Sequence, residues 1–228
     1  AIVENIQLQN ISMHMATILT ILFQRLQKKK TVKYVRCLTI FFSLFAVKYS
    51  AQALLEAVES IQAGLFGMLS QGVIIPDMNK VQGKAERKLV AIGFIKILCE
   101  SPLMLQKYSA VWTRYMAEVI NYLEKPQGEK EVATANAAPV TNEDEENDEE
   151  NDQNYKVGYA KLSYASDNQE DKVPAIVDGK NFLANSLARL LSSNQALAQG
   201  IITAIRQANQ STILKQYMAA ANLPGDAL

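Results

Sequence analysis

Apolar residues recur at intervals of three and four positions along most of the chain, and strict alternation of apolar and polar residues over the length of a strand is hard to find. Intervals of three and four are typical of amphipathic α-helices, whereas alternation is typical of strands. A clear case runs from about Leu105 to Leu123. Its apolar face consists of Tyr108, Val111, Trp112, Tyr115, Met116, Val119 and Ile120. The pattern therefore predicts an all-α fold.

Hydroxyl residues stand where several helices are expected to begin. A serine or threonine at that position can accept a hydrogen bond from a free backbone N–H of the first turn. On this basis we predict helices from about Ser12 to Gln27, from Thr31 and from Ser50. The third pattern is interrupted by three glycines, namely Gly64, Gly67 and Gly72. One continuous helix is therefore not expected there.

The later helices suggest a repeat architecture. One is predicted after Gly83 and stops at Ser101-Pro102, and three short ones are predicted at about 181–191, 195–207 and 211–221. Paired helices of this size, in units of roughly 35 to 50 residues, are typical of α-solenoids. The stretch from Ile74 to Gly93 shows the HEAT pattern best, with a proline early in one helix and a charged, then apolar second helix. We predict an α-α superhelix, a HEAT-repeat solenoid.

Charge is separated along a chain whose net charge is zero. Residues 1–125 carry 15 basic and 8 acidic side chains, whereas residues 126–177 carry 4 basic and 13 acidic ones. Eight of the ten residues from Glu143 to Asp152 are acidic, a composition that cannot build a core. We therefore predict HEAT-type helical hairpins over 1–125, a flexible acidic linker over 126–154, and terminal helices that cap the solenoid over 155–228.

Composition narrows the class of protein further. With 49% hydrophobic and 20% charged residues the chain is globular. Cys37 and Cys99 lie in apolar runs where core packing is expected, and they form no disulfide framework, which suits a reducing compartment. The most apolar stretch, from Cys37 to Val47, is shorter than the roughly 20 residues that cross a bilayer, so no membrane partner is expected. The chain begins at Ala1, and we expect it to be a fragment of a longer protein.

Residue types for catalysis or metal binding are scarce. His14 is the only histidine, which excludes a site with two histidine ligands. The glycine cluster lacks the lysine and hydroxyl ending of a phosphate-binding loop, and the acidic run lacks the glycine and spacing of an EF-hand. We therefore expect no enzyme activity, no cofactor and no metal. The absence of an overall basic charge argues against a nucleic-acid partner.

Two clusters of basic residues occupy equivalent positions. Lys33 and Arg36 lie in the first turn of one predicted helix. A second predicted helix carries Lys84, Arg87 and Lys88 in its first turn. On stacked helices the two clusters would form one basic strip. Such a strip fits a partner with an acidic face, and it fits equally well a face that is merely solvated.

Several short segments occur in the order and spacing of one known family. They are Phe23-Gln24-Arg25-Leu26-Gln27, Val47-Lys48-Tyr49, Phe66-Gly67-Met68, Ile74-Ile75-Pro76 and Ala91-Ile92-Gly93. Together they resemble the C-terminal region of the CAS family, the exporters of importin-α within the importin-β superfamily. The resemblance runs from about residue 12 to 124, continues through the acidic insert, and fades over the last helices.

This resemblance implies the last HEAT repeats of a noncatalytic receptor that carries importin-α out of the nucleus with RanGTP and shuttles between nucleus and cytoplasm. It implies that RanGTP binds mainly N-terminal repeats outside this chain, and we expect the fragment to be monomeric. The second helices of the pairs would then face the cargo. The predicted importin-α-binding residues are Lys33, Arg36, Lys84, Arg87 and Lys88.

Two alternatives remain beside this prediction. The chain could be a HEAT scaffold from another transport receptor or assembly factor, with a different partner. Independently, the acidic residues 143–152 could fold back onto the basic strip when no cargo is bound, because their charges are opposite.

Overall fold

The computed structural model describes residues 6–81, 83–125, 171–193 and 195–225. Every regular element within those ranges is helical, which confirms the all-α prediction. The helices are α1 (Leu8–Lys28), α2 (Val32–Lys48), α3 (Ala51–Ile61), α4 (Leu65–Leu69), α5 (Ile75–Asp77), α6 (Lys84–Glu100), α7 (Pro102–Lys107), α8 (Ser109–Glu124), α9 (Gly179–Ser193), α10 (Gln195–Gln207) and α11 (Ser211–Ala220). A π-helical turn, Ser70–Ile74, joins α4 to α5. The predicted acidic linker, 126–154, and the first part of the predicted terminal segment, 155–170, lie outside the described residues.

Helix α6 lies at the centre of the packing. It contacts α2 most extensively, then α9, and also packs against α3, α7 and α8. Every residue from Leu89 to Cys99 except Lys96 is buried. A helix that is apolar on nearly all sides must be covered on nearly all sides. The helix predicted after Gly83 is therefore the core helix of this part of the chain.

Helices α2 and α6 approach each other most closely at Gly93. A Cβ atom placed on Gly93 would lie 2.5 Å from the Cα of Ser43 in α2. A residue with a side chain would push the two backbones apart, so glycine is required here by the close approach. Ser43 is fully buried at this crossing, and its hydroxyl donates to the carbonyl of Thr39 at 2.8 Å. That bond satisfies the hydroxyl within α2.

The predicted helix starts are confirmed at two positions and wrong at a third. Thr31 and Ser50 each accept a hydrogen bond from the backbone N–H three residues later. Helix α1, however, begins at Leu8, and Ser12 lies exposed inside it. Ile11 is buried in the core, and its packing stabilises a turn of helix before the expected cap. Burial of an apolar side chain here outweighs the capping preference of serine.

Glu59 organises the expected interruption after α3. Gly64 follows the end of that helix with a φ of +82°, in the left-handed region that favours glycine. The Glu59 carboxylate accepts the backbone N–H groups of Gly64 at 2.9 Å and of Phe66 at 3.1 Å, and it also binds Lys107. The predicted break is confirmed, and Glu59 provides acceptors for N–H groups at the start of α4.

The single helix predicted from Leu105 to Leu123 is wrong, because the structure has two helices that break at Tyr108. The Tyr108 hydroxyl donates to Glu59 at 2.5 Å, and its ring packs with a centroid separation of 5.4 Å against Phe66. Both partners lie in earlier helices. The bend therefore comes from tertiary contacts, and the local apolar spacing carries no sign of it.

The terminal helices α9, α10 and α11 agree with the predicted ranges to within two residues. Helix α9 packs on α6 and on α11. The Tyr217 hydroxyl of α11 donates to Glu124 at the end of α8, and Glu124 also pairs with Lys180 of α9 at 2.9 Å. These polar contacts connect the C-terminal helices to α8.

Candidate partner-binding surface

The predicted basic residues lie on the first turns of two helices that pack against each other. They are Lys33 and Arg36 on α2, and Lys84, Arg87 and Lys88 on α6, and together they are called the basic strip. Thr31 caps α2, and Gly83, with a φ of +94°, precedes α6. Lys33 and Lys84 are exposed, while the other three are partly buried. Thr31 and Gly83 mark the starts of α2 and α6, and they therefore place these five basic residues at the N-terminal ends of the two helices.

Arg87 is held by two groups of one residue, Tyr122 of α8. Its guanidinium carbon lies 4.3 Å from the centroid of the Tyr122 ring, a cation–π arrangement. The Arg87 Nη2 also donates to the Tyr122 carbonyl at 3.0 Å. An arginine has five N–H donors, so this carbonyl uses only part of its capacity. The guanidinium is oriented in advance and retains donors for a carboxylate.

Arg36 acts on the same tyrosine. Burial raises the pKa of the Tyr122 phenol, while the positive charges of Arg87 and Arg36 oppose that rise and Glu86 reinforces it. Arg36 of α2 and Arg87 of α6 therefore both act electrostatically on the Tyr122 phenol.

Lys88 has a different partner. Its Nζ lies 2.5 Å from Oδ2 of Asp171, in the segment that leads into α9. The hydrogen bond from Lys88 lowers the pKa of the Asp171 carboxyl, and the Val173 N–H, which donates to Oδ1 at 2.9 Å, lowers it further. This cation of the strip is therefore already paired with an acid of the same chain.

The segment 171–178, called the strap, is attached to α6 by apolar contacts as well. Val173 is buried, and it packs with Leu89 and Ile92 of α6 in a small apolar cluster. Ile176 and Phe182 are partly buried against the same cluster. Apolar burial and an ion pair thus hold the strap at the first half of α6.

Comparison with known proteins identifies the family. The family model for the C-terminus of CAS/CSE proteins matches residues 1–217. The chain belongs to the CAS/CSE family. Proteins named Exportin-2 from Xenopus laevis and Homo sapiens are 31% and 30% identical to it over 225 residues, or 98% of this chain. The chain spans 22% of the length of these relatives. The resemblance to the C-terminal region of the CAS family is confirmed.

A solved structure shows the same fold. The structure described as "The exportin Cse1 in its cargo-free, cytoplasmic state" matches this CAS/CSE chain with a TM-score of 0.67. The match covers 94% of this chain and 20% of that one, at 22% sequence identity. The predicted fold class, a HEAT-repeat α-α superhelix, is confirmed.

In this CAS/CSE chain, two residues of the surface escape sequence analysis. Tyr122 contacts Arg87 across 35 positions of the chain, and Asp171 contacts Lys88 across 83. Neither sequence separation corresponds to a spacing within one helix. Many other aromatic and acidic residues follow α6, and no local signal in the sequence singles out Tyr122 or Asp171 among them.

The two cysteines lie in different environments. Burial raises the pKa of the Cys99 thiol to about 12, which agrees with its expected core position. The same expectation for Cys37 is wrong: it is exposed, because it lies one turn after Lys33 on the outward side of α2. His14 is exposed on α1. Within the described ranges, no group of three or more His, Cys, Asp or Glu residues is placed to hold a metal ion.

No single helix among the described segments is long and apolar enough to cross a membrane. Helix α3 and the stretch Leu65–Lys80 reach that length and composition only as a pair, bent by 102°.

Proposed function

We propose that this chain is part of the C-terminal HEAT region of a nuclear export receptor, which carries importin-α from the nucleus to the cytoplasm together with RanGTP. The match of the CAS/CSE family model to residues 1–217 carries the proposal, and relatives that align with 98% of the chain are named Exportin-2. In this proposal RanGTP binds mainly N-terminal repeats of the receptor, and the receptor shuttles through the nuclear pore.

The basic strip is the surface through which this chain contacts importin-α. The orientation of Arg87 on Tyr122 supports this role, because a side chain that is already ordered loses less freedom on binding. A guanidinium can also bind a carboxylate through two parallel hydrogen bonds. The exposed Lys33 and Lys84 extend the positive charge beside it and would steer an acidic partner towards the strip.

Assembly of the full-length parent protein with importin-α tests the receptor function. Immobilised parent protein is incubated with importin-α alone, with RanGTP alone, and with both. We expect firm retention of importin-α only when RanGTP is also present, since an exporter must couple the two binding events to load in the nucleus. RanGDP is the matched control. Equal retention in all conditions, or none in any, would contradict the proposal and favour a HEAT scaffold with another partner.

A further inference from the structure

A carboxylate of the chain itself already occupies part of the basic strip. Lys88 and Asp171 form an ion pair at 2.5 Å, in which the lysine side chain is 19% exposed and the aspartate 39%. Lys88 directly follows Arg87, and one turn before both lies Lys84, so the three cations form a continuous band on α6. Asp171 therefore lies at the edge of the surface assigned to importin-α.

The strap does not depend on Asp171 for its attachment. Val173 is buried against Leu89 and Ile92, and Ile176 packs against the same cluster. Asp171 accepts the Val173 N–H through Oδ1 and contacts Lys88 through Oδ2, so the two contacts use different oxygens. The ion pair can open while the strap stays in place.

We propose that the surface formed by Lys84, Arg87 and Lys88 binds an acidic segment of its partner, and that a carboxylate of this segment replaces Asp171 on Lys88. The inference rests on the proposed function, because it takes importin-α as the partner. Asp171 then acts as an internal competitor. It satisfies the charge of Lys88 in the unbound receptor and is displaced when the partner docks.

The test measures the dissociation constant of fluorescently labelled importin-α from the full-length parent protein in the presence of RanGTP. Asp171→Asn removes the competing charge but keeps an oxygen that accepts the Val173 N–H. We expect it to tighten binding about two- to fivefold, the range for a partly exposed ion pair. Glu100→Gln is the matched control. It removes one negative charge from α6, the helix of Lys88, where Glu100 pairs with Lys96 at 2.8 Å, and should leave the affinity nearly unchanged.

A double variant separates displacement from general charge repulsion. If Asp171 competes for Lys88, the gain from Asp171→Asn should fall to the level of Glu100→Gln when Lys88 is replaced by Met. A gain of the same size in the Lys88→Met background, or no gain from Asp171→Asn at all, would overturn the inference.

The same assay distinguishes this inference from the proposed function. Replacement of Lys33 and Arg36 by Glu should weaken binding whether or not Asp171 competes. If that variant weakens importin-α binding but Asp171→Asn does not tighten it, only the competitor role of Asp171 is overturned. Failure of the wild-type receptor to bind importin-α with RanGTP would overturn the proposed function and this inference together.

Discussion

Arg87 and Lys88 are neighbours in α6, yet their partners lie far apart in the sequence, one before residues 126–170 and one after them. Arg87 contacts Tyr122, which precedes that stretch, and Lys88 contacts Asp171, which follows it. The end of α8 and the beginning of the strap are therefore both held at one turn of α6. The turn that carries the proposed partner-binding cations therefore also has a structural role, so binding and stability must be measured separately.

Charge reversal on α2 tests the partner surface. Replacing Lys33 and Arg36 by Glu in the full-length receptor should weaken importin-α binding on the order of tenfold and flatten its dependence on salt, because attraction between opposite charges is lost. Calorimetric titration at low and high ionic strength measures both effects. Folding should be maintained, since an acid in the first turn of a helix is favourable.

Reversal of two exposed cations elsewhere provides the matched control. Lys28 and Lys215 are both exposed and lie on α1 and α11. Their replacement by Glu changes the net charge equally and should leave affinity nearly unchanged. An equal loss in both variants would show that binding responds to total charge and that the strip has no particular role.

The ring of Tyr122 should matter more than its hydroxyl. The hydroxyl is buried without a hydrogen-bond partner among the described residues, whereas the ring lies beneath the Arg87 guanidinium. Tyr122→Phe should therefore preserve importin-α affinity. Tyr122→Leu removes the aromatic face and should weaken binding at least about two- to fivefold, which corresponds to a cation–π contact of about 0.5–1 kcal/mol. Circular dichroism confirms that both variants are folded, and equal affinities would contradict the positioning role.

The close contact at Gly93 should make this position intolerant of any side chain. Gly93→Ala would place a methyl group 2.5 Å from the Cα of Ser43, so α2 and α6 must separate. We expect the free energy of unfolding to fall by about 1–3 kcal/mol, as for other overpacked cores. Gly200→Ala in α10 is the control, because nothing lies within 4 Å of its added Cβ. That change should stabilise the helix by up to about 1 kcal/mol, and similar effects at both sites would contradict the prediction.

Glu59 should make stability depend on pH in the acid range. Burial alone would raise the pKa of this carboxyl, but hydrogen bonds from Lys107, Tyr108 and the N–H groups of Gly64 and Phe66 lower it from 4.5 to about 2. Since the folded-state pKa is depressed, the stabilisation is complete above the unfolded value of 4.5 and is lost as the pH falls towards 2.

Glu59→Gln should therefore destabilise the chain by about 2–4 kcal/mol at neutral pH, and the difference from wild type should shrink below about pH 4. Urea unfolding of both proteins across this range measures the difference. Glu56→Gln, at an exposed position on the same helix, is the control. A difference that stays constant with pH would mean that the ionised form of Glu59 is not the stabilising one.

Most of the helices could be predicted, because the information for them lies within each segment. The buried apolar residues of α1 repeat with the helical period. Thr31 and Ser50 cap their helices by accepting a hydrogen bond from the backbone N–H three residues later. The break at Tyr108 could not be predicted in this way. It depends on Glu59, 49 residues earlier, and nothing in the spacing of α7 and α8 reports that contact.

The candidate surface shows the same difference between features that are encoded locally and features that depend on long-range contacts. The helical class and the family follow from the sequence, and so does the presence of five basic residues in the first turns of two helices: Lys33, Arg36, Lys84, Arg87 and Lys88. Caps, helical period and family motifs all act over a few neighbouring residues. The contact of Arg87 with Tyr122 and the pairing of Lys88 with Asp171, in contrast, are visible only in the folded chain. Those contacts arise when α8 and the strap pack on α6, and side-chain pairing across such distances depends on the packing of whole helices, which local spacing does not encode.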